Sequence, residues 1–130
     1  RLKDVREALG HGQSSLVPPA GGSLCRLVTF PPEAGYLGKV SAAQVQAYFD
    51  KAGAPGVSTH GAGAPHPYMQ KSRTLDFCFI IEGRITLVLD TEEVHLEAGD
   101  IVVQRGTNHA WSNRSDRNCV IAISSHDATE

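Results

Sequence analysis

The second half of the chain alternates hydrophobic and polar residues in short runs separated by turn residues. Between 84 and 90, Ile85, Leu87 and Leu89 recur at every second position, so they share one face of an extended strand. The apolar run 75–81 stops at Glu82-Gly83, and shorter runs at 94–96, 101–104, 109–112 and 119–124 complete the series. Residues 23–30 form a further strand, ended by Pro31-Pro32 because proline has no N–H to donate to a ladder. One segment breaks the pattern. In 41–52, Val45, Tyr48 and Phe49 follow helical spacing, Ser41 and Gln44 fit a capping box, and Gly53 can end the helix. A second, short helix is predicted over 1–10, where Leu2, Val5, Ala8 and Leu9 share a face, and a Ser/Pro/Gly-rich connector follows over 13–22. Several short strands with polar turns indicate an all-β fold, an antiparallel sandwich or barrel, with a short N-terminal helix and a helical insert. The long Gly/Ala/Pro loop 54–67 carries His60 and His66 and has the length of a lid or binding loop.

With 130 residues, the chain has the length of one domain. It divides into an N-terminal helix and connector (1–22), a helical insert and loop (33–70) and a core of strands (71–125). Its formal net charge of -2 includes no basic block, and its apolar runs are far shorter than a membrane span, so neither a nucleic-acid nor a membrane partner is expected. No charged segment precedes an apolar one at the start, which gives a cytoplasmic expectation. Cys25, Cys78 and Cys119 are odd in number, far apart and set in apolar runs. They fit reduced core thiols better than a disulfide framework or a nucleophile.

The chemistry concentrates in Gly99-Asp-Ile-Val-Val-Gln-Arg-Gly-Thr-Asn-His-Ala-Trp-Ser-Asn113. An apolar run ends at a Gly turn, and His109 follows three residues after Gly106. A histidine just beyond a buried strand can point into a small barrel and act there as a metal ligand or as a general acid or base. The stretch resembles the second motif of the cupin superfamily at Gly99, Gly106, His109 and Asn113, with Arg105 in place of the usual proline. The resemblance implies a small single-domain cupin-type jelly-roll barrel, with His109 facing the interior. Alternation along the strand then puts Trp111 and Asn113 inside as well. It also implies a homodimer, since open strand edges are a liability.

The first cupin motif normally supplies a His-x-His pair, an acid and a glycine. Asp76 and Gly83 keep the last two, but the positions of the pair fall within Met69-Gln70-Lys71-Ser72, which holds no histidine. No cofactor is therefore expected. A divalent metal, if held, would draw on His109, Asp76, His66 and Gln70. Three readings stay open: a metal-free polar site, a metal site restored by His60 or His66 from the loop, and an interior filled by side chains. The expected function is a small-molecule-binding protein, an enzyme performing acid/base chemistry of the isomerase, dehydratase or decarboxylase type on a small anionic or aromatic metabolite. His109 and Asp76 are its expected catalytic groups, and Trp111, Arg73, Gln70, Cys78 and Asn113 its expected substrate contacts. A non-catalytic sensory module and a metal-dependent dioxygenase are the alternatives. Alternation further predicts His109, Trp111, Asp76 and Cys78 around one cavity, Phe77 and Phe79 pointing away from it, and Arg73 at its mouth.

Overall fold

The structure, a computed structural model, describes residues 16–61 and 63–128. The helix expected over 1–10 lies outside the described residues. Seven strands follow in chain order: β1 (Ser23–Phe30), β2 (Thr74–Glu82), β3 (Arg84–Leu89), β4 (Glu93–Glu97), β5 (Ile101–Arg105), β6 (His109–Ser112) and β7 (Cys119–Asp127). Between β1 and β2 lie a 3-10 turn (Glu33–Gly35) and the helix α1 (Ala42–Lys51). The capping box of α1 is present. The Ser41 side chain accepts from the Gln44 backbone N–H, and the Gln44 side chain accepts from the Ser41 N–H at 2.7 Å.

The strands form two antiparallel sheets, of order β1-β7-β2-β5 and β4-β3-β6. They pack face to face around Cys78, Ile80, Cys119, Ile121 and Ile123 from the first sheet and Ile85, Leu87 and Trp111 from the second. Each such side chain contributes about 1.5–3 kcal/mol by leaving water. The turn between β2 and β3 needs Gly83. Its φ is +81°, and a Cβ there would lie 2.6 Å from the Asn118 carbonyl oxygen.

Strand β3 is buried on both faces. Its inner face carries Ile85 and Leu87, while Thr86 and Val88 on the other face are buried as well. The cover over Val88 comes from the insert, where Met69 packs with Val88 and Ala110. The same insert has its own small core of Val45, Phe49, Ala54 and Val57. Its end is tied to the sheet by a pair of backbone bonds. The Gln70 N–H donates to the His109 carbonyl at 2.8 Å, and the His109 N–H donates to the Gln70 carbonyl at 2.9 Å. Gln70 thereby sits like a further strand position beside β6. That pairing fixes the insert next to His109.

Candidate functional site

Inward-facing positions of the first sheet fall into rows across the strands. Arg26 pairs with Ile123, which pairs with Cys78. In the neighbouring row Ser125 pairs with Asp76, which pairs with Gln104. His109 and Trp111 face these rows from β6. Together they enclose a cavity of about 40 Å³ lined by Arg26, Asp76, Cys78, Gln104, His109 and Trp111, with Gln70 and Tyr48 also at its wall. The four residues expected around one cavity are thus brought together. Phe79 is exposed on the outer face, and Phe77 packs edge-on against His126 there.

The polar groups of this cavity are poorly matched with one another. Gln104 is 5% exposed, yet neither its amide nitrogen nor its amide oxygen has a hydrogen-bond partner among the described residues. The same holds for the Arg26 Nε and for one Asp76 carboxylate oxygen, Oδ1. A buried polar atom with no partner at all costs about 1–3 kcal/mol relative to a paired one. Burial also pushes the Arg26 guanidinium below its ordinary pKa, against the opposing pull of Tyr48, Asp76 and Cys78.

His109 is 7% exposed and its state is set by geometry. Nδ1 lies 2.8 Å from the Thr107 carbonyl, an acceptor only, so Nδ1 carries the hydrogen and donates it. The Nε2 lone pair is left for the cavity. Burial lowers the His109 pKa, and the Thr107 bond and Asp76 oppose that shift without reversing it. The ring is a neutral, oriented proton acceptor near neutral pH. Cys78 is held as a thiol, its pKa pushed up to about 12 chiefly by burial and then by Asp76.

Beside the cavity lies a larger space, a vestibule of about 250 Å³ whose walls include Phe30, Tyr36, Tyr48, Tyr68 and Trp111. The two spaces share Val28, Phe30, Tyr48, Gln70 and Trp111. Tyr68 stands edge-on to both Tyr48 and Tyr36, at ring separations of 5.4 and 5.9 Å. His109 stands edge-on to Trp111 at 6.2 Å. Aromatic side chains from α1 and the insert loop therefore wall the vestibule.

Four expected site residues lie elsewhere. Arg73 is exposed on the outside, beside Arg105, Lys71 and Ala128. It precedes β2 at an outward position, and the cation of the site is Arg26. Asn113 is buried but fully employed. Its amide donates to the carbonyls of Phe30 and Arg117, and its oxygen accepts from the N–H and hydroxyl of Ser115, so it braces a turn. His66 does not fold back to the cavity. Its Nδ1 accepts from the Tyr68 N–H, its Nε2 lies 3.1 Å from Glu33, and both nitrogens are used. Glu33 also accepts from the Ser112 hydroxyl at 2.7 Å. His60 is exposed in the loop.

Arg26 and Gln104 were missed by the sequence reading. The signal was parity: Arg26 alternates with Leu24, Val28 and Phe30, and Gln104 with Val102, each a polar residue on an apolar face.

The donor set does not fit a divalent metal. No group of three or more His, Cys, Asp or Glu side chains converges among the described residues. His109 and Asp76 are the two strong donors of the cavity, and the Arg26 guanidinium beside them repels a cation.

Residues 57–125 match the family described as Cupin domain. Phomopsin biosynthesis cluster protein C' of Diaporthe leptostromiformis is 48% identical over 48 residues, 36% of this chain and 25% of that protein. The cupin-domain-containing oxidoreductase srdD of Neurospora crassa is 39% identical over 54 residues, 41% of this chain and 27% of that protein. The chain thus spans about a quarter of the length of these relatives. Among solved structures, the cupin domain of Schizosaccharomyces pombe Cnp3 superposes with a TM-score of 0.52 at 12% identity, covering 88% of this chain and 62% of that one. That likeness concerns the fold.

Proposed function

The chain belongs to the cupin domain family, and on that premise we propose that it binds a small anionic or aromatic metabolite between its sheets and performs proton transfer on it. The observation that carries the reading is the set of unpaired buried groups around one cavity with His109. A core that only needed to be stable would place apolar side chains there. Burying polar atoms without partners has a stability cost that a bound ligand offsets.

In this reading His109 Nε2 takes a proton from the substrate and later returns one. The Thr107 carbonyl holds the ring in the required tautomer and accepts the Nδ1–H bond that strengthens when the imidazolium forms. Asp76 faces the same space and accepts a hydrogen bond from the substrate. The aromatic walls exclude water from the reacting end and pack against the substrate's apolar part. The relatives named for biosynthesis clusters and for an oxidoreductase are consistent with action on small molecules.

The test combines binding and turnover. Histidine-¹⁵N-labelled protein is titrated with a panel of small aromatic carboxylates, and exchange of their acidic C–H protons in D₂O is followed by ¹H NMR. The expected outcome is a shift of the His109 Nε2 resonance and exchange that falls at least ~100-fold in His109→Gln, the range for loss of a general base. The variant keeps a cooperative unfolding transition. A panel that leaves the Nε2 resonance unmoved defeats the reading.

A further inference from the structure

The unpaired atoms of the cavity can be sorted by what they require. Arg26 Nε and the Gln104 amide nitrogen are donors, while Asp76 Oδ1, the Gln104 amide oxygen and His109 Nε2 accept. A simple anion answers only the first set, and a cation only the second. The ligand must present an acceptor and a donor together. They must also be close, because about 40 Å³ has room for roughly three water-sized groups. Asp76 in the same space opposes a phosphoryl dianion more than a singly charged carboxylate. The larger vestibule, walled by Tyr36, Tyr48, Tyr68, Phe30 and Trp111, suits a flat apolar body.

Resting on the reading above, we propose that the ligand is a small aromatic 2-hydroxy or 2-amino acid and that Arg26 selects it. The carboxylate lies against Arg26 and Gln104, the neighbouring O–H or N–H donates to Asp76, and the ring occupies the vestibule. The inward parity of Arg26 on β1 places its guanidinium in the cavity, where burial among apolar neighbours strengthens any charge-assisted bond it makes. The carbon bearing the hydroxyl or amine then sits at the junction of the two spaces, on the side where His109 and Trp111 meet.

Four probes separate these contacts: 3-phenyllactate, 3-phenylpropionate (no hydroxyl), 3-phenyllactamide (no charge) and lactate (no ring). Each is titrated into the full chain by calorimetry and by the His109 ¹⁵N signals. Phenyllactate is expected to bind tightest, and the amide at least ~10-fold more weakly, the usual scale for a hydrogen bond to a charged group. Arg26→Met makes acid and amide equal, Arg26→Lys keeps a preference for the acid, and Asp76→Leu erases the preference for phenyllactate over phenylpropionate. Thermal unfolding checks each variant, and the ligand series on the unaltered chain stands whatever the variants do. Equal binding of acid and amide to the unaltered chain overturns the proposal while leaving the cavity a binding site. An unchanged Kd in a folded Arg26→Met also overturns it. If no probe moves the His109 signals, both this proposal and the proton-transfer reading fail.

Discussion

Two clusters of buried polar residues among the described residues have been treated in opposite ways. Around Glu33, the polar groups are matched. Its carboxylate receives the Ser112 hydroxyl and the His66 ring, Arg114 lies 3.8 Å away, and the second His66 nitrogen is occupied by the Tyr68 N–H. Around His109, Arg26, Asp76 and Gln104 are buried or half-buried within one cavity and leave atoms unpaired. The residue types are similar. The difference is that side-chain bonds of the first cluster join the 3-10 turn, the insert loop and β6 into one body, whereas no side-chain bond links the members of the second to one another. A satisfied cluster is structural support, and an unsatisfied one around a cavity is built for something that arrives.

The comparison predicts effects of opposite sign on stability. The largest belongs to the matched cluster. Glu33→Ala strands the His66 and Ser112 donors, and urea unfolding is expected to show a loss of about 3 kcal/mol, the sum of two orphaned buried groups. A loss below about 1 kcal/mol would show that the cluster is not what joins these segments.

The next effect reads His109 through pH. Its folded pKa lies below the ordinary 6.5, chiefly through burial. Between that lowered value and 6.5 the unfolded chain binds a proton that the folded chain does not. Stability therefore falls as pH drops through this window, by at most about 1.4 kcal/mol per pH unit, and this loss levels off below the folded pKa. Subtracting the profile of His109→Gln from that of the unaltered chain isolates this slope. No difference between the two profiles below pH 6.5 would mean that His109 charges as freely when folded as when unfolded.

The smallest effect is a gain. Gln104→Met replaces an amide with two unpaired atoms by an apolar chain of similar length, and is expected to stabilise the ligand-free protein by about 1 kcal/mol in thermal and urea unfolding. A loss of that size would mean that Gln104 already belongs to a satisfied network, and the contrast between the two clusters would disappear.

Much of the scaffold was legible as pattern. All seven strands and α1 lie where alternation, turn residues and the Ser41–Gln44 capping box place them, because these signals are local. The same parity rule put Asp76, Cys78, His109 and Trp111 on inward positions. It carries no information on where the insert lies, so β3 seemed to need one buried face and has two. Nor did it tell Arg73 from Arg26. Proximity to a matched motif favoured Arg73, but one step of parity turns it out to solvent, while Arg26 reaches the cavity from a strand two places across the sheet. His66 illustrates the limit most directly. Whether it met the cavity or Glu33 depended on contacts between residues 33 positions apart. The sequence by itself determined which residues face inward, because side-chain direction in a strand is set by its immediate neighbours. Only the tertiary structure decided which inward polar groups find partners, because pairing depends on how separate strands and the insert are brought together.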